Sequence, residues 1–372
     1  MKSFLKKIDW WIVASLVPLF GLSLATMSSF SDVAGFLASR QLLWIVISMA
    51  AFFVVSSLDL SFLKKSKTLM AVYLFGVALL LSLVFIGSTT KGATSWIDFG
   101  GFSFQPSDLI KLMLILVLAK YLARRHVEIK SMKHLLITAA YFFIPFLLIF
   151  LQPDFGSAII LFFIWFGMIL VAGISKKHLL MLFTVGFAAF MVMWVFVFKE
   201  YQKDRIRTFI DPLSDIQGTG YNAYQSTIAV GSGQLIGKGV GYGTQSRLNF
   251  LPEHETDFIF AATSEEWGFV GSAIILILFG IISLRILIIG FSMNSNFELL
   301  FAVGLALYLM SHVLINIGMN IGVMPVTGVT LPFMSYGGSH LLVEMVALGM
   351  LMSFRKQSRS VYKDNSLDVF LR

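Results

Sequence analysis

The carboxylate with the strongest case for chemistry is Asp257. It ends the run Gly243-Thr-Gln-Ser-Arg-Leu-Asn-Phe-Leu-Pro-Glu-His-Glu-Thr-Asp257 and is followed at once by Phe258, Ile259 and Phe260. Apolar neighbours strip water from a carboxylate and make it a stronger base, which suits proton abstraction. The same residue is also a good N-cap for the apolar run that follows. The two readings, base and cap, are compatible.

Two further charges stand inside apolar sequence. Asp108 and Lys111 follow Pro106 and Ser107, and proline sits well in the first turn of a helix. At i and i+3 they share one helix face. A private ion pair would make both tolerable near lipid, whereas ionisable groups in a span more often face a polar cavity or a substrate path. Asp154, in the turn Gln152-Pro-Asp-Phe-Gly156, falls at the same membrane level. Three charges at one depth on separate elements favour a shared cavity on the outer side.

Arg205, Arg207, Lys238 and Arg247 make the stretch before Asp257 cationic. Either this is a solvated loop surface, or it cradles an anionic head group such as pyrophosphate. For the second, guanidinium forks and the glycine backbone of Gly231-Ser-Gly-Gln-Leu-Ile-Gly-Lys-Gly-Val-Gly-Tyr-Gly243 are suitable. The run is not a Walker loop, because its Gly-Lys pair lacks the spacing and the Ser or Thr that follows. Trp96 fits an interfacial anchor as well as a sugar-stacking platform. The cluster Glu253-His254-Glu255-Thr-Asp257 offers its carboxylate oxygens to a divalent cation such as Mg or Mn, at a spacing that matches no metal motif. The remaining histidines are scattered and read as structural. Glu344 lies in the middle of the last apolar run, where a carboxylate needs a partner or a cavity.

The elements that must position these groups are membrane helices. Of 372 residues, 57% are apolar and 13% charged, against roughly half and a quarter in soluble domains. Several uncharged apolar runs reach about 18 residues, the length of a transmembrane helix. Cysteine is absent, which excludes disulfides, thiolate nucleophiles and Cys-ligated metals. The fold class expected is an all-α polytopic membrane protein with about ten spans, near 11–29, 41–58, 69–87, 106–122, 135–151, 157–173, 179–198, 264–289, 297–317 and 337–354. These form one transmembrane domain over 1–372 with a long polar loop at about 199–262. The first run is long for a signal peptide and lacks a small-residue cleavage site, so it reads as a retained helix.

Charge sets the orientation. Lys2, Lys6, Lys7, Lys64, Lys65, Lys67, Arg124, Arg125 and the tail's Arg355 and Lys356 all fall on one side of this topology, and with others make up most of the 28 lysines and arginines. The positive-inside rule places that side, with both termini, in the cytoplasm. Orientation and anionic lipid thus account for the net charge of +8 without nucleic acid. The four segments rich in Gly, Pro, Asp or Trp, at about 88–105, 152–156, 199–262 and 318–336, then lie outside the cytoplasmic (inner) membrane.

The ordered motifs resemble one known family. They are Gly92-Ala-Thr-Ser-Trp-Ile-Asp-Phe-Gly, Phe104-Gln-Pro-Ser-Asp-Leu-Ile-Lys111, Gln152-Pro-Asp-Phe-Gly-Ser157, Tyr221-Asn-Ala-Tyr-Gln-Ser-Thr-Ile-Ala-Val-Gly-Ser-Gly233, Thr256-Asp-Phe-Ile-Phe-Ala261 and Met324-Pro-Val-Thr-Gly-Val-Thr-Leu-Pro-Phe-Met-Ser-Tyr-Gly-Gly-Ser339. Together they resemble the SEDS proteins (shape, elongation, division and sporulation), nearly end to end. The wording around Gly243-Thr-Gln-Ser favours the rod-shape branch over the division branch. The resemblance implies a ten-helix peptidoglycan glycosyltransferase that polymerises lipid II at the outer face of the membrane beside a class B penicillin-binding protein. It also implies that Asp257 is the essential aspartate and that Trp96, Lys111, Asp154 and Arg205 line or border a polar cavity. Asp108 stands where the family commonly has Glu, and Gln234 where it commonly has Gly. Glu344 matches no family feature. The rival readings are a transporter that flips lipid-linked precursors, weakened by the lack of an inverted repeat, and a non-catalytic scaffold for the transpeptidase.

Overall fold

The computed structural model describes residues 8–30, 34–86, 88–90, 93–98, 103–125, 131–196, 198, 200–211 and 220–370. Ten long helices correspond one for one to the expected spans. They are α1 (Trp10–Met27), α2 (Ala34–Ser57), α3 (Ser66–Ile86), α4 (Pro106–Arg125), α5 (Met132–Leu151), α6 (Phe155–Val171) and α7 (Lys176–Phe196), then α11 (Ile259–Phe291), α12 (Asn296–Asn320) and α13 (Gly338–Phe370). Seven of them are long and apolar enough to cross a membrane by length and composition alone. The other three fall short for visible reasons. Helix α6 has 17 residues, α4 carries Asp108 and Lys111, and α13 runs on into a charged tail.

The stretch expected as a long loop between the seventh and eighth spans, at about 199–262, carries short helices among its described residues. It contains α8 (Glu200–Ile210), α9 (Tyr221–Ser232) and the single turn α10 (Thr244–Arg247), and α11 begins at Ile259, earlier than expected. Small residues hid the buried face of α9, whose Ser226 and Ala229 are buried against the bundle. Between α3 and α4 a small antiparallel sheet, β1 (Ser88–Thr90), β2 (Ala93–Asp98) and β3 (Ser103–Phe104), pairs in the order β1-β2-β3.

Helix α12 is the axis of the molecule, buried along nearly its whole length, and α4, α6, α11 and α13 pack around it. Helix α1 lies on α11, and α2 on α13. By contrast no side chain of α7 is buried; its Phe183 ring meets Phe166 of α6.

Helix α11 is broken at Gly268, whose φ of 67° and ψ of −163° only glycine adopts readily. The break exposes backbone groups that must find partners. The glycine run supplies them. Lys238 N–H donates to Glu265 O at 3.0 Å and Gly239 N–H to Glu266 O at 3.0 Å. In return, Phe269 and Val270 donate to the carbonyls of Gln234 and Leu235, at 2.8 and 3.1 Å. A Cβ on Gly237 would collide with the Glu266 carbonyl, so only glycine lets the two backbones meet.

Candidate functional site

Asp257 lies in a tight turn ahead of α11 and is half-buried. It is not the N-cap, which corrects the capping expectation. Phe258 holds that position, with no side-chain cap. The orphan N–H of Ala261 in the first turn is instead taken by Asn320 Oδ1 of α12, at 3.0 Å. The turn's backbone is fixed carbonyl by carbonyl. Tyr336 N–H donates to Glu255 O at 2.8 Å, Ser335 Oγ to Thr256 O at 2.6 Å, and Asn316 and Asn320 Nδ2 to Asp257 O at 2.8 and 3.1 Å. The Asp257 carboxylate points toward Gly328, φ +71°, whose Cβ, were there one, would lie 3.5 Å from Oδ2.

The Gly328 segment also borders the start of α6, since a Cβ on Gly156 would sit 2.8 Å from Thr327 O. Asp154 caps that helix, accepting from Ser157 N–H at 3.0 Å. Its second oxygen accepts from Gln105 Nε2 at 3.2 Å. Gln105 N–H in turn donates to Ser339 Oγ at the start of α13, at 3.2 Å. Asp154 is therefore both a cap and a tie between the N-terminal ends of α4, α6 and α13.

Asp108 and Lys111 form the expected pair, Nζ to Oδ1 3.0 Å, with both side chains 2% exposed. The pair is not private. His340 Nδ1 lies 3.3 Å from Asp108 Oδ2, and His340 Nε2 lies 2.8 Å from Glu344 Oε1. The His312 ring sits 4.8 Å from that of His340, and the Tyr308 ring 4.9 Å from that of His312. Two histidines expected to be scattered and structural thus join one buried polar set, and Glu344 has found its partner. Two carboxylates and two basic side chains are thus buried within contact distance of one another, which is the tolerable way to bury such groups.

The remaining candidates are dispersed. Lys238 Nζ meets Glu265 Oε1 at 2.7 Å and Thr244 Oγ1 at 3.0 Å. Gly241 N–H donates to Glu266 Oε1 and Gln245 N–H to Glu265. The donors offered to an external anion are answered here by the protein's own carboxylates. Arg207 pairs on the surface of α8 with Glu200 at 3.3 Å and Asp204 at 3.0 Å. The hydrogen bond and charge of Lys203, then Arg207, hold the Glu200 carboxyl below its ordinary range. Arg205 lies in α8, but its side chain lies outside the described residues. Arg247 donates to Gly241 O at 3.2 Å. Trp96 is half-buried on β2, which packs against α3 and α4.

Glu253, φ +56°, accepts from Thr256 Oγ1 at 2.9 Å. His254 turns away to the Leu251 carbonyl, at 2.8 Å, and packs edge-on to Phe30. Among the described residues no group of three or more His, Cys, Asp or Glu is arranged to hold a metal ion. The oxygens that the sequence offered to a divalent cation are not gathered into such a group among the described residues.

The sequence reading missed His312, His340, Asn316, Asn320 and Ser335. A signal existed for three of them. Asn316 with Asn320, and His340 with Glu344, are i, i+4 pairs inside apolar helices and so share a face.

With the geometry in place, comparison with known proteins is decisive. The FtsW/RodA/SpoVE family model, described as "cell cycle protein", matches residues 2–360. The chain belongs to this family. It is 40% identical over 292 residues to the peptidoglycan glycosyltransferase MrdB of Escherichia coli K12, covering 78% of each chain. It is 36% identical over 329 residues to stage V sporulation protein E of Bacillus subtilis, covering 88% of this chain and 89% of the relative. A chain from a solved peptidoglycan synthase complex superposes with a TM-score of 0.81 at 29% identity, covering 94% and 98%. The crystal structure of Thermus thermophilus RodA does so with 0.70 at 28%, covering 94% and 97%. Like these family members, the protein is a polytopic helical membrane protein and a peptidoglycan glycosyltransferase.

Proposed function

We propose that Asp257 is the general base of glycan polymerisation. It takes the proton from the 4-hydroxyl of the acceptor GlcNAc of lipid II. That oxygen attacks the anomeric carbon of the growing strand's terminal MurNAc, the bond to the polyprenyl pyrophosphate oxygen breaks, and the anomeric centre inverts. A single displacement needs one base and no covalent sugar intermediate. The observation that carries this reading is the stitched turn: the carbonyls of residues 255, 256 and 257 are all held by donors from α12 and the segment before α13. A carboxylate on a backbone so fixed is pre-oriented, which is where a catalytic base gains most.

The buried Asp108–Lys111 pair lies too deep to be a surface docking charge, and we assign it to the wall of the polar site together with Asp154. Arg205 remains the candidate for meeting the departing pyrophosphate. Lys238 and Arg207 are engaged by Glu265 and by Glu200 and Asp204, and would have to exchange those partners to join it.

Positive-inside asymmetry supports an orientation with both termini in the cytoplasm and the Asp257 turn at the outer face of the inner membrane. The working partner is then a class B penicillin-binding protein supplying crosslinking. The Gly243-Thr-Gln-Ser motif and the 40% identity to MrdB support a role in elongation; depletion would then give round cells, and filaments would place the protein in division instead.

The deciding experiment is lipid II polymerisation in detergent by purified protein, with and without the cognate penicillin-binding protein. Asp257→Asn is expected to lose roughly 10²–10⁴-fold in rate with its melting temperature unchanged. Near-native polymer from that variant removes the base role. Polymer formed in detergent, where there is no leaflet to cross, also separates polymerase from flippase.

A further inference from the structure

We infer that His340 and Glu344 are positioning residues that hold the Asp257 turn in register with the buried Asp108–Lys111 pair. The inference rests on the reading of Asp257 as the base.

Glu344 is fully buried, and its two oxygens do two different things. Oε1 lies 2.8 Å from His340 Nε2, while Oε2 accepts the N–H of Phe333 at 3.0 Å. Phe333 has φ +61°, a left-handed conformation that is strained for a bulky residue. A buried carboxylate on its N–H is what holds it there, and its ring is clamped between Phe20 and Phe279. Two residues further on, Ser335 Oγ accepts from Leu331 N–H at 2.8 Å and donates to Thr256 O at 2.6 Å. Tyr336 N–H donates to Glu255 O. The outer side of this turn is pinned as well, by Ser23 Oγ of α1 on Met334 O at 2.6 Å and Gln41 Nε2 of α2 on Ser335 O at 3.3 Å. A continuous set of short contacts therefore runs from Lys111 through Asp108, His340 and Glu344 to the Phe333 turn, and from there to the backbone of the two residues before Asp257.

A charge cluster that merely glued α13 to α4 would have no need of the Phe333 amide. Glu344 could spend both oxygens on His340. Using one oxygen on a strained turn whose next residues grip the Asp257 loop is what makes the set a brace.

Spatial continuity alone does not establish coupling, so the test measures it. In lipid II polymerisation, Glu344→Met is expected to lower kcat roughly tenfold to a hundredfold, as a small misplacement of a reacting group does, with KM unchanged. Glu344→Gln keeps an acceptor for Phe333 N–H and is expected to recover most of kcat. Ser335→Ala, which strands no buried charge, is expected to give a smaller loss of the same kind. Combining Ser335→Ala with Glu344→Met is expected to be little worse than Glu344→Met alone, because both release one turn. Wild-type kcat in Glu344→Met, a rise in KM with kcat intact, or fully multiplicative losses in the double variant overturns the inference. If Glu344→Met does not fold, Ser335→Ala and His340→Gln carry the test, and wild-type turnover in both overturns it. Asp257→Asn run in parallel keeps the two readings apart: activity there removes the base, whereas an inactive Asp257→Asn beside a fully active Glu344→Met removes only the brace.

Discussion

Lys111 and Asp108 sit where water cannot reach them, so their mutual attraction must cover the cost of desolvating both. Such pairs are seldom worth much relative to apolar replacements, but breaking one is expensive because the survivor stays buried and uncompensated. Lys111→Met is accordingly expected to destabilise the protein by about 3–5 kcal/mol, read as a lowered melting temperature in detergent. Adding Asp108→Leu, which leaves His340 and Glu344 to balance each other, is expected to restore part of that loss. A double variant less stable than Lys111→Met would mean that the four groups do not share one charge balance. This separates fold from function, since the double variant regains stability without regaining the site.

At the scale of elements, the break in α11 is the feature with the sharpest sequence requirement. Gly237 meets the Glu266 carbonyl, and Gly268 occupies a conformation closed to side chains. Gly237→Ala must either part the two backbones or lose the four crossing hydrogen bonds, and is expected to cost about 2–4 kcal/mol. The opposite sign is expected three residues earlier. Gln234 has φ +49°, and Gln234→Gly relieves that strain, raising the melting temperature slightly.

Hydropathy made the ten helices legible, because each is a long apolar run that lipid obliges to be helical. Asp257 was legible because its flanks are unusual in composition. What closes around it was not. Asn320 caps a helix 59 residues away, and Glu344 reaches a turn 11 residues upstream. Neither contact leaves a local trace. Periodicity also failed for α9, where small residues mask a buried face, and for the glycine run, whose partner is a break in another helix.

For the whole molecule, the ten helices place the broken α11, the small sheet and the Asp257 turn toward one end of α12, and the lysine-rich connections at the other. Because the chain has no cysteine, single cysteines can report this polarity without background. Tyr242 is 71% exposed in the glycine run, and Lys176 is exposed at the start of α7. Tyr242→Cys is expected to react with a membrane-impermeant maleimide in intact spheroplasts, and Lys176→Cys only after lysis. The reverse pattern would invert the molecule and put the Asp257 turn on the side of precursor synthesis.

One detail of the turn bears on which atom of an incoming sugar is chosen. A carbonyl oxygen has two lone pairs, and at residue 257 two asparagine amides already occupy them. A hydroxyl arriving at this residue can donate its hydrogen only to the side chain. On the proposed reading of Asp257 as the base, the paired asparagines act as a blocking group, steering the proton to the carboxylate.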